Sequence, residues 1–184
     1  MRQDDTTRLP RDGEPNLRLP VLTQIADVVI DTLLRGKSTI HAPTAIGGCA
    51  ATAGALLVRS TYDEQQLRQL EPGSIVPVEA VGDEISLLLM LVGAYAKITG
   101  VKWLEEQEPD DIDEPHALLI ARLEPVVSAV LDRNAVPVEE WPDYAAVATV
   151  DLAFRSGAQT RFAHNVRLGL NIGARTVPPV LPGR

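Results

Sequence analysis

Apolar residues recur three and four positions apart along most of the chain, which is the spacing that one buried face of an α-helix requires. The first such segment lies within 20–36, and Gly36 ends it as glycine commonly ends helices. Its apolar positions are Leu22, Ile25, Ala26, Val29 and Leu33. No segment alternates apolar and polar residues over more than four or five positions, as half-buried strands do. The pattern therefore predicts an all-α fold.

A segment at about 77–99 is apolar on nearly all sides. Between Ile85 and Ala96 the clear exception is Ser86. A helix that is apolar all round is typically surrounded by other helices. We therefore expect about six helices, packed as an irregular bundle around a central apolar helix at 77–99.

Small residues dominate the segment from Ala45 to Val58. Within it, small side chains recur four positions apart in two adjoining rows: Ala45, Cys49 and Ala53, then Gly47, Ala51 and Ala55. Such rows allow a second helix to approach closely. Gly169 and Gly173 form a matching row near the carboxyl end of the chain. We therefore predict that these two helices pack against each other.

Periodicity is absent at both ends of the chain. Residues 1–19 mix charges with prolines, and residues 177–184 carry three more prolines. We interpret 1–19 as an amino-terminal tail, 20–176 as a single helical domain and 177–184 as an extended proline-rich tail. A domain of this size buries a core without disulfides or metals to stabilise it.

The net charge of −8 is unevenly distributed along the chain. Residues 37–150 carry 7 basic and 18 acidic side chains, whereas residues 151–184 carry five arginines and one acid. The acidic body argues against nucleic-acid binding, because contacts to phosphates dominate the affinity of such proteins. The basic carboxyl-terminal segment is compatible with a local anion-binding site.

The last predicted helix, at 143–175 with a break near 156–157, holds the candidate binding site. Its polar residues recur at helical spacing and share one face. The candidate site consists of Arg161, His164, Arg167, Asn171 and Arg175. Arginines beside neutral donors suit a small anion, a carboxylate ligand or an acidic protein surface. A solvated outer face that offsets the acidic body is the competing interpretation.

Other reactive residues form no pattern typical of catalysis or metal binding. The three histidines are isolated along the sequence, and acids at 110–114 lack the spacing of a calcium loop. Cys49 lies between glycine and alanine, which favours a buried, inert thiol. Gly36–Thr39 matches only the end of a phosphate loop. We expect no catalytic residues, no metal and no cofactor.

The sequence favours a non-enzymatic helical protein that acts through protein contacts as a homo-oligomer. The alternative is a small-anion or carboxylate-binding protein, or an enzyme, with a pocket lined by the basic last helix. The longest uncharged apolar runs, of 14 and 12 residues, are shorter than the roughly 20 that span a bilayer. With one cysteine and no apolar leader, the chain is expected in the cytoplasm, away from membranes.

Overall fold

The computed structural model describes residues 17–62, 81–105, 108 and 111–174. Six α-helices account for most of these residues, and a short 3₁₀ turn at Val138–Glu140 precedes the fifth. They are α1 (Leu19–Leu34), α2 (Ala42–Thr61), α3 (Gly82–Thr99), α4 (His116–Arg133), α5 (Trp141–Ser156) and α6 (Phe162–Gly173). No strand occurs in these ranges. The predicted all-α fold is confirmed.

Helix α2 lies at the centre of the described bundle. Every residue from Thr44 to Val58 is buried, and the helix packs against α4, α5 and α6. Its small side chains explain this position, because they allow several neighbouring helices to come close at once. Larger side chains would have held those neighbours further away.

The helix that we predicted at the centre takes a different place in the described bundle. Helix α3 begins at Gly82 and packs mainly against α5. It buries a single row of side chains, namely Ile85, Leu88, Val92 and Ala96. Leu87, Met90 and Ile98 remain 60%, 69% and 83% exposed. The hydrophobicity of its sequence was not enough to predict the position of this helix. The helices that pack closely around α2 leave α3 at the side of the described bundle.

The predicted contact between the two small-residue rows is confirmed. A Cβ atom added to Gly169 would lie 2.8 Å from Cα of Ala51, and one added to Gly173 would lie 2.7 Å from Cα of Ala55. Gly54 faces the backbone of α6 in the same way, because a Cβ atom added to it would lie 2.9 Å from the amide nitrogen of Leu170. Helices α2 and α6 therefore approach so closely that only glycine fits at these three positions.

Helix α1 lies across α4 and α5 and joins the amino-terminal residues to the core. Leu17 is buried, and the Arg18 amide donates a hydrogen bond of 3.1 Å to the Tyr144 hydroxyl. The last residues of the predicted 1–19 tail thus pack on the bundle. Residues 1–16 and 175–184, which hold the rest of both predicted tails, lie outside the described ranges.

The break predicted near 156–157 is confirmed and separates α5 from α6. Helix α5 ends at Ser156, and Gly157 follows with a φ of 68°. This left-handed conformation favours glycine and ends the helix. After this break α6 runs in a new direction, in which its glycine row faces α2.

Candidate functional site

The predicted basic face is divided between two environments. Arg161 is the N-cap residue of α6, where it lines a surface cleft. His164 and Asn171 are half-buried further along the helix, and Arg167 is exposed. These three residues do not line that cleft. Arg175 lies outside the described residues, so its place in the predicted site stays a prediction.

The cleft that contains Arg161 lies where α4 and α6 begin. It has a volume of about 410 Å³ and is lined by Ile112, Asp113, Glu114, Pro115, His116 and Arg161. His116 Nε2 lies 2.7 Å from the amide oxygen of Asn165, and this contact joins the first turns of the two helices. The lining thus mixes two carboxylates with a histidine and an arginine.

Glu114 is held by two cations from distant parts of the chain. Its carboxylate oxygens lie 2.6 Å from Lys37 Nζ and 2.7 Å from Arg122 Nη1. The hydrogen bond from Lys37, with the positive charge of Arg122, lowers the pKa of Glu114 below its ordinary value. This acid therefore ties the loop before α4 to the segment between α1 and α2.

Asp113 ties the same loop to the first turn of α2. The Thr44 hydroxyl donates to Asp113 Oδ1, and the Asp113 amide donates back to that hydroxyl at 3.0 Å. His41 Nδ1 lies 2.8 Å from the same oxygen of Thr44. The hydrogen bond from Thr44 is the main cause of the lowered pKa of Asp113. Sequence reasoning missed this network because its members lie about 70 positions apart.

The described residues offer little nucleophilic or metal chemistry. Cys49 is fully buried, its Sγ lies 3.4 Å from the carbonyl oxygen of Ala145, and burial raises the pKa of its thiol to about 11. Such a thiol stays protonated and unreactive at neutral pH. Within the described ranges, no three histidine, cysteine or acidic side chains are grouped to hold a metal ion.

An apolar row on the exposed side of α3 is a feature that the sequence analysis assigned to the core. We call it the α3 apolar face; it consists of Leu87, Met90, Leu91, Ala94 and Ile98. Leu91 is half-buried and the other four are exposed. Their spacing of three and four positions places them on one side of the helix, opposite the row buried against α5.

The end of α5 carries a further exposed apolar side chain, next to a groove that it shares with the end of α3. Phe154 is 60% exposed there. It lines a groove of about 280 Å³ between residues 99–102, at the end of α3, and residues 157–159, which follow α5.

Charged residues of opposite sign flank the α3 apolar face. Asp83 and Glu84 are exposed in the first turn of the helix. Lys97 is exposed in the last turn, and Lys102 is exposed just beyond the helix end at Gly100. The sequence of features along α3 is therefore acidic, apolar and basic.

Comparisons with protein-family models, with curated proteins and with solved structures find no match to this chain. In the described part of the chain, no helix combines the length and apolarity needed to cross a bilayer. The geometry of the surfaces described above therefore carries the functional argument.

Proposed function

We propose that this chain is a non-enzymatic, cytoplasmic protein that works through protein contacts and associates with further copies of itself. The exposed α3 apolar face carries this proposal. Three large aliphatic side chains in one row, Leu87, Met90 and Ile98, are each at least 60% exposed. Contiguous apolar patches of this kind mark interaction sites on soluble proteins.

The composition of the face also fits an association surface. The centres of protein interfaces are depleted of charge and enriched in methionine and aromatic side chains, while their rims are polar. Met90 lies within the row, and the acidic and basic residues lie at its two ends. Burying these side chains removes apolar area from water, at about 25 cal/mol for each Å².

The experiment is a comparison of two leucine substitutions by light scattering at two protein concentrations. Leu87→Asp places a charge in the α3 apolar face. Leu118→Asp is the matched control, because Leu118 on α4 is 57% exposed and Leu87 is 60% exposed. We expect the wild type and Leu118→Asp to form the same oligomer, whereas Leu87→Asp weakens association at least about tenfold.

A monomeric wild type at high concentration, at low and at high salt, would contradict self-association. If Leu87→Asp leaves the oligomer intact, the contact between copies lies on another surface. Circular dichroism of both variants checks that the helical fold is retained.

The alternative function is the binding of a small anion or carboxylate ligand. The observation in its favour is that Arg161 and His116 line one cleft where α4 and α6 begin. Asp113 and Glu114 in the same lining oppose it, because they repel an anion. A melting temperature raised by phosphate in the wild type but not in Arg161→Ala would support this alternative. An equal response of both proteins would remove it.

A further inference from the structure

We infer that the partner of the α3 apolar face is the same face of a second copy, with the two α3 helices antiparallel about a two-fold axis between positions 92 and 93. This inference rests on the proposed self-association and adds its geometry. Two-fold dimers are the commonest oligomers, and their interface must be complementary to itself. The pattern of residues along α3 meets that condition in two ways.

The apolar spacing reads the same in both directions along the helix. Leu87, Leu91, Ala94 and Ile98 are separated by four, three and four positions. This is the repeat of a coiled-coil seam. When a second α3 is turned end to end about positions 92 and 93, Leu87 meets the partner's Ile98. Leu91 then meets the partner's Ala94, so large and small side chains alternate across the centre.

The flanking charges also match only in the antiparallel arrangement. The exposed Asp83 and Glu84 at the start of α3 then lie near the partner's Lys97 and Lys102. A parallel pair would instead place the two acidic ends together and the two basic ends together. Charge complementarity of this kind selects the orientation of an interface more than it raises its affinity.

The test is disulfide cross-linking of variants of the full chain that each carry one added cysteine. The native Cys49 is fully buried, so the wild type serves as the blank. In the proposed dimer, two copies of residue 98 lie about 16 Å apart along the helix axis, since each residue advances about 1.5 Å. A disulfide needs Cα atoms within about 7 Å. Leu87→Cys alone and Ile98→Cys alone should therefore not cross-link.

Two cross-links are expected under mild oxidation. Ala94→Cys should link to itself near the axis, and an equimolar mixture of Leu87→Cys with Ile98→Cys should give the mixed dimer. Chains carrying tags of different length identify that product by its mass. We expect each of these yields to exceed those of the single variants Leu87→Cys and Ile98→Cys by at least about tenfold.

Self-linking of Ile98→Cys would overturn the antiparallel geometry and leave the proposed self-association standing. An oligomer without any of these cross-links would overturn the inference and assign association to another surface. A wild type that stays monomeric would overturn the proposed function itself.

Charge reversal gives a second, independent measurement. Asp83→Lys and Lys102→Asp should each weaken the dimer by about threefold or more, and the double variant should recover the wild-type affinity. Glu139→Lys, an exposed reversal in the 3₁₀ turn, is the control and should leave the affinity unchanged. A double variant weaker than both single variants would contradict the pairing of opposite ends.

Discussion

At the scale of single residues, the contact between Gly169 and Ala51 sets how close α2 and α6 come. We predict that Gly169→Ala destabilises the fold by about 2–4 kcal/mol, because its new Cβ meets backbone that cannot move aside. The measurement is the free energy of unfolding from urea titration.

Gly48→Ala is the matched control for this prediction. The Cβ of an alanine at position 48 would meet side-chain atoms, at 3.0 Å from Leu123 Cδ1 and 3.3 Å from Leu119 Cβ. The leucine chains can adjust, and alanine favours the helix by about 1 kcal/mol over glycine. The expected loss is therefore below about 1 kcal/mol. Equal losses for both variants would contradict the role assigned to the close backbone contact.

Asp143 in the first turn of α5 provides a pH-dependent prediction. Burial, with a smaller effect from Glu140, raises its pKa from 3.8 to about 6. Between these two values the folded protein binds more protons than the unfolded chain, so this group lowers stability as the pH rises from 4 to 6. Asp143→Asn should therefore raise the unfolding free energy by about 1 kcal/mol at pH 7, after allowance for solvent screening.

The same substitution should not raise the unfolding free energy near pH 4, where Asp143 is already protonated in the folded protein. Asp31→Asn is the control, since Asp31 is exposed on α1 and its replacement should change stability by less than about 0.5 kcal/mol. A gain that is independent of pH would show that removal of the charge is not its cause. Urea titrations of both variants at pH 4 and pH 7 measure the difference.

At the scale of elements, one ion pair joins α2 to α4. Arg59 Nη1 donates to Glu124 Oε1, and the two side chains are only 12% and 8% exposed. Burial raises the pKa of Glu124 and lowers that of Arg59, although each attracts the other. Desolvation therefore outweighs the attraction between these two charges.

We predict that Glu124→Ala costs about 3 kcal/mol of unfolding free energy, because it leaves the Arg59 charge buried without this carboxylate. The double replacement of Arg59→Met with Glu124→Leu should recover most of that loss. Chemical denaturation of the single and double variants gives both values. A double variant as unstable as the single one would mean that the attraction exceeds the cost of desolvation.

The glycine rows show which element contacts were readable from the sequence. The row of Ala51 and Ala55 predicted a close helix partner, and the row of Gly169 and Gly173 supplied it. Small side chains limit the choice of partner strongly, because few helix pairs permit backbone contact. The large apolar residues of α3 impose no such limit, since leucine packs equally well against many surfaces. This is why the position of α3 was not predicted.

At the scale of the whole molecule, sequence reasoning found part of the polar site around α4 and α6. It selected Arg161, which lines the cleft, and assigned no role to the acids at 110–114 beyond noting that they lack the spacing of a calcium loop. In the structure, Asp113 instead accepts a hydrogen bond from Thr44, and Glu114 forms an ion pair with Lys37. No spacing rule links residues that lie so far apart in the chain. Only folding brings them within hydrogen-bond distance.

The same scale decides between a buried core helix and a helix with one exposed apolar side. A stretch such as 85–96 contains enough apolar side chains for either role. The structure divides it into a row buried against α5 and the exposed α3 apolar face. The sequence already contained the symmetry of that face, with Leu87, Leu91, Ala94 and Ile98 at palindromic spacing. The exposure of that face was not visible there.

The sequence by itself determined the helices, the break near Gly157 and the contact between the α2 and α6 glycine rows. These follow from spacing and side-chain size, which are local properties of the chain. Tertiary structure alone placed α2 at the centre of the described bundle, left the α3 apolar face exposed and joined the loop at 111–115 to residues 37–44. These features depend on how the helices pack together, because the burial of a side chain is decided by every element around it.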